Sequence, residues 1–108
     1  MFWNVDKNES VVSLISGVVI EVPFKDEATR FFLGYRFGEG RISSPITKIA
    51  INDKGQVWGT TKSRTYIIEN YGEIHPDALY VFNMSSNKEQ RDRKRNLTMD
   101  EIKELIIS

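Results

Sequence analysis

At 108 residues the chain is long enough for one compact domain with a real core, and too short for a catalytic domain plus an accessory one. Fifteen basic residues balance fifteen acidic ones, so the global field steers neither nucleic acid nor an anionic membrane toward it. There is no cysteine, which excludes disulfides, thiolate metal centres and a cysteine nucleophile, and fits a reducing, cytoplasmic location.

The first residues, "MFWNVDKNES", place Asp6 and Glu9 close behind two aromatics, where a secretory signal needs a basic start and an unbroken apolar stretch. No signal peptide is expected. The apolar run from Val11 to Val22 is interrupted by Ser13, Ser16, Gly17 and Glu21 and is too short to span a bilayer, so a soluble protein is expected. "DKNESVVSLIS" has capping-box spacing at Asp6 and Glu9, and helical spacing at Val11, Leu14 and Ile15. That favours a short helix ending at Gly17, although the valines also suit a strand. "GVVIEVPF", rich in β-branched side chains and closed by Pro23, predicts a strand.

"TRFFLGYRF" alternates, putting Phe31, Leu33, Tyr35 and Phe37 on one face, which is read as the core face, and Arg30, Phe32, Gly34 and Arg36 on the other. "GEGR" is the turn that follows. "ITKIAIN" predicts a strand with Thr47, Ile49 and Ile51 inward. "NDKG" supplies a type I turn with a glycine bulge. "QVWGTT" and "RTYIIE", reversing at Lys62 and Ser63, complete a three-stranded meander. "NYGEIHPD" reads as a loop and "ALYVFN" as a further strand.

"SSNKEQRDRKRN" has no apolar residue to bury and is expected to be a charged linker or a solvated helix. Beyond it, Thr98 and Glu101 have capping-box spacing, with Leu97 and Ile102 as a hydrophobic staple. A helix is predicted there, with Met99, Ile102, Leu105 and Ile106 as its apolar stripe. The organisation is therefore a small β domain over 1–84, a charged segment over 85–96 and a helix over 97–108. That helix docks on the domain or on a partner, and it also offers a homodimer contact.

The candidates for chemistry are few. His75 in "EIHPDA" is the sole histidine; neighbouring Glu73 and Asp77 need not converge on it, and a solvated loop histidine is expected. The acidic residues lack metal-ligand spacing, and the glycines of "GYRFGEG" lack the following helix that makes a phosphate cradle work. No catalytic residue, metal or cofactor is expected. Binding has better candidates. Trp3, Tyr35, Arg36, Trp58, Tyr66 and Tyr71, together with Phe2, are residue types that dominate interface energy. Parity along "QVWGTT" leaves the orientation of Trp58 open; filling the interior against a cross-strand isoleucine is favoured over exposure. Lys88, Arg91, Arg93, Lys94 and Arg95 form a basic segment that, with Phe32, Arg36, Trp58 and Tyr66 of the sheet as stacking surfaces, could serve RNA or single-stranded DNA.

"SGVVIEVPF", "RISSPITKIAIN" and "VWGTTKSRTYIIE", taken in order, resemble a pattern in short uncharacterised proteins encoded on bacteriophage and plasmid genomes. The matching positions are Gly17 and Val18, Ser43 to Ile46, and Thr61, Ser63, Tyr66 and Ile68. They span about the middle half of the chain. The aromatic strand from Thr29 to Phe37 and the charged tail depart from the pattern. The resemblance implies a mobile-element origin and a host-directed role, and carries no catalytic residue.

The expected architecture is mainly β: a small antiparallel sheet, or an SH3-like or OB-like barrel, with a C-terminal helix. The expected function is non-enzymatic binding of a host or cellular protein, inhibiting or modulating it. RNA or single-stranded DNA binding is the alternative, and no membrane partner is expected.

Overall fold

In the computed structural model, which describes residues 11–24 and 27–107, the chain builds a seven-stranded mixed sheet with three helices among the described residues. Phe2, Trp3 and the Asp6–Glu9 pair lie outside those residues. The strands are β1 (Val11–Phe24), β2 (Glu27–Arg36), β3 (Glu39–Ile42), β4 (Lys48–Ile51), β5 (Val57–Thr60), β6 (Thr65–Tyr71) and β7 (Arg95–Asn96). The helices are α1 (Pro76–Ser85), α2 (Lys88–Arg93) and α3 (Met99–Ile107). The mainly β architecture with a C-terminal helix is as the sequence predicts. The sheet is open, in the order β3-β2-β1-β6-β5-β4, and one of its pairings, β1 with β6, is parallel.

Strand β1 replaces the expected short helix. Its first half pairs with β6, from Val11 opposite Thr65 to Gly17 opposite Tyr71, and its second half pairs with β2, from Ser16 opposite Tyr35 to Phe24 opposite Glu27. Two partners supply ladder hydrogen bonds along most of its length, and they override the weak helical spacing of Val11, Leu14 and Ile15. β7 adds Asn96 and Arg95 opposite Ile20 and Glu21. In the gap between β6 and β7, the Val19 N–H donates to the Tyr71 hydroxyl at 2.9 Å and the Val19 carbonyl accepts from the Leu97 N–H at 2.9 Å.

The sheet buries apolar groups on both faces. Val12, Leu14, Val19, Phe32, Val57, Tyr66 and Ile68 form the inner core, closed by Leu97 and Ile102. Val18, Ile20, Val22 and Leu33 face the other way, under Ala78 and Phe82 of α1. The inner core thus takes even-numbered residues from the first half of β1 and odd-numbered Val19 from the second, so the strand's alternation switches between Leu14 and Val19. β2 likewise has two core faces rather than the one expected. Phe32 enters the inner core, Leu33 the outer one, and Phe37 neither.

The segment read as the strand "ALYVFN" is helix α1. His75 caps it, Pro76 opens it, and Ala78 and Phe82, four apart, form its buried stripe. Gly40 allows the approach of α1 to β3: a Cβ there would lie 2.2 Å from the Asp77 carbonyl oxygen. The charged segment contains the short α2, closed by a reciprocal box between Asn87 and Gln90. The last helix starts as predicted. The Thr98 N–H donates to Glu101 Oε1 at 2.9 Å, the Glu101 N–H donates to Thr98 Oγ1 at 3.2 Å, and Leu97 and Ile102 are buried together.

Candidate protein-interaction surface

The expected partner-binding aromatics are scattered by the fold. Tyr66 is 6% exposed and stacks on Phe32 with ring centroids 5.4 Å apart, so it belongs to the core and is corrected from the interface set. The hydroxyl of Tyr71 accepts from Val19 and donates to the Leu97 carbonyl at 2.6 Å, and burial raises its pKa to about 12; it is a structural tie. Trp58 is half-buried opposite Ile67 and Ala50, on the face away from Tyr66. The cross-strand isoleucine is as expected, but the side chain lies on the outer face of the sheet and not in its interior. Trp3 lies outside the described residues.

Tyr35 and Arg36 do converge, on the hairpin that joins β2 to β3. Tyr35 stacks on His75 with centroids 3.7 Å apart and planes 11° apart, which fixes the hairpin to the start of α1. His75 Nδ1 accepts from the Asp77 N–H at 3.0 Å, giving the ring a capping role that the sequence reading did not assign. The guanidinium of Arg36 lies 4.7 Å from the centre of the Phe37 ring.

The sequence places Phe37 on the core face of its strand and starts the turn at Gly38. In the structure Phe37 and Gly38 are the two residues of the turn, with φ of 45° and 80°. Positive φ at two central positions is the backbone of a tight hairpin turn that favours Asn-Gly. Phe37 takes the first position although a bulky residue is uncommon there, and its ring is 79% exposed. On α1, which Tyr35 and His75 tie to the hairpin, Leu79, Tyr80 and Met84 turn outward, Tyr80 at 64% and Met84 at 69% exposure. Sequence reading missed all four. A signal was present for each: "FG" as a two-residue loop, and "HPD" as a helix start whose buried Ala78 and Phe82 leave Tyr80 and Met84 outside.

The basic segment does not form a free cationic stripe. Lys88 pairs with Asp92 at 2.6 Å, Arg93 with Glu89 at 3.5 Å, and Arg95 with Glu101 at 2.5 Å and Glu21 at 3.7 Å. Arg91 donates to the carbonyls of Ser86 and Asn83. Lys94 lies 5.4 Å from the Phe82 ring centre, and partial burial lowers its pKa. A cleft of about 700 Å³ opens between the β1–β2 hairpin and α2; of its charged walls, Glu21, Glu89, Arg93 and Arg95 are partners of one another or of neighbours, and Glu27 is the fifth. His75 is not among its lining residues. Among the described residues no three His, Asp or Glu side chains gather as metal ligands, and no helix is long and apolar enough to cross a membrane.

The residues that carry the sequence resemblance hold the sheet together. Ser43 Oγ accepts from the Phe32 N–H at 2.9 Å, Thr61 exchanges hydrogen bonds with Arg64, and Tyr66 and Ile68 are core. No family model, curated protein or solved structure matches the chain.

Proposed function

We propose that the chain is a non-enzymatic binding module that seats the tip of the β2–β3 hairpin and the outer face of α1 on another protein. The observation that carries this reading is Phe37. A left-handed backbone costs a non-glycine residue about 1–2 kcal/mol, and an exposed ring with the Arg36 guanidinium over it regains only part of that in the free molecule. A partner surface that covers the ring supplies the missing compensation. Arg36 beside it, and Tyr80 and Met84 on α1, are aromatic, Arg and Met side chains of the kinds enriched at the centres of interfaces. The resemblance to phage- and plasmid-encoded proteins makes a host protein the proposed partner, inhibited or modulated by occupation of its surface.

The test is affinity capture from a bacterial lysate with the wild type, Phe37→Asn and Tyr80→Asp side by side. A stoichiometric protein retained by the wild type and lost with both variants supports the reading. Absence of such a protein, or equal capture by all three, overturns it.

A further inference from the structure

A second surface lies on the opposite half of the sheet. The register places Trp58 between Ala50 of β4 and Ile67 of β6, and Thr60 between Lys48 and Thr65. The alternate residues Val57, Tyr66 and Ile68 enter the inner core, so Trp58, Thr60, Lys48 and Ile67 share the outward face. Helix α3 contributes to the inner core and α1 covers the β1–β2 half, which leaves this face without a helix among the described residues. Lys62 and Arg64 flank the β5–β6 turn, at the Thr60 end of the same half sheet.

The charges here differ in kind from those of α2. Lys48, Lys62 and Arg64 make no ion pair with any carboxylate among the described residues, whereas Lys88, Arg93 and Arg95 all do. The one acidic side chain on the face, Glu69, accepts a hydrogen bond from the Ser13 hydroxyl at 2.8 Å and sits beyond Trp58 from the cationic end. A flat aromatic side chain on an open sheet, bordered on one side by Lys48, Lys62 and threonine hydroxyls, has the composition that stacks one base and holds a phosphate backbone. A duplex keeps its bases stacked on one another and presents none to a lone ring.

We propose that this face binds single-stranded nucleic acid, with a base on Trp58 and phosphates at Lys48 and Lys62. The site is independent of the Phe37 surface; it keeps Trp58 of the expected stacking residues, and Lys48 and Lys62 take the place of the self-paired basic segment.

The test uses fluorescence anisotropy with a labelled oligouridylate of about a dozen nucleotides. The expected result is saturable binding whose log–log dependence on salt has a slope of about −1.4, from two phosphates at about 0.7 each on a single strand. Trp58→Ala should weaken it about tenfold and Trp58→Phe much less. The combined Lys48→Glu and Lys62→Glu variant should abolish it and, being confined to exposed positions, covers the case in which Trp58→Ala does not fold. Lys88→Ala with Arg93→Ala should leave it intact, as should Phe37→Asn, so a failure here is distinct from a failure of the protein-docking reading. No binding at low salt, equal affinity for the duplex or for polyglutamate, or dependence on Lys88 and Arg93 in place of Trp58 would overturn the proposal.

Discussion

Tyr71 illustrates how one side chain decides a local structure. Its hydroxyl fills the place of a missing strand partner on β1 and at the same time ties down Leu97, ahead of α3. Tyr71→Phe leaves a buried N–H and a carbonyl short of a partner, and should lower stability by about 1–3 kcal/mol in a denaturant titration. Because burial raises the phenol's pKa from 10.0 to about 12, folding favours its neutral form. The tyrosine's contribution is therefore complete below about pH 10 and lost as pH rises through about 12. Ultraviolet titration should show one tyrosine fewer ionising late in the Phe variant. The sequence marks Tyr71 as an aromatic in a loop and no more, because its role depends on a carbonyl 26 residues away. Tyr66 and Phe37 are misplaced for a related reason: alternation tells which side a residue takes, not whether that side is covered, and it says nothing past the end of a strand.

Among the elements, those specified by neighbours in sequence are the legible ones. Helix α3 was readable because its cap, its staple and its stripe lie within nine residues of one another. Thr98→Ala should cost about 1 kcal/mol of stability, read from the thermal transition. The box also favours an ionised Glu101: the Thr98 N–H, and then Arg95, lower its pKa, so this contribution is present above the ordinary carboxylate range and fades as pH falls through the lowered value. Strand β1 and helix α1 were less legible, since each is decided from a distance. β1 is extended because residues 65–71 and 27–35 are there to pair with it, and α1 is helical over a stretch whose valine, tyrosine and phenylalanine favour strands in isolation. Its docking can be tested at Gly40. Gly40→Ala drives a methyl group into the Asp77 carbonyl and should destabilise by about 1–3 kcal/mol, while circular dichroism shows little lost strand content.

For the whole molecule, the consequence is a sheet with two unequal ends. The β3-β2-β1 end is covered on its outer face by α1, which carries the proposed protein contact. The β6-β5-β4 end has no helix on that face among the described residues and carries the proposed single-strand contact. If the two surfaces are independent, Phe37→Asn should remove protein capture and Trp58→Ala should weaken single-strand binding about tenfold, each leaving the other activity unchanged, and the double variant should show both losses. Phe37→Asn should also raise stability by about 1 kcal/mol, since it relieves the left-handed strain while binding is lost. The class of fold was readable from the period-two alternation through the centre of the chain. The placement of function was not, because both proposed surfaces are defined by which faces the helices leave bare.

The pairing of β1 with residues 65–71 and 95–96 also sets an order of events during synthesis. Strand β1, the first of the described strands, acquires its neighbours on one edge only after residues 65–71 and 95–96 have been made, and contacts so distant along the chain make for slow nucleation. Until then a long valine-rich ribbon has one edge unprotected, and a nascent chain stalled before Tyr71 should be prone to self-association.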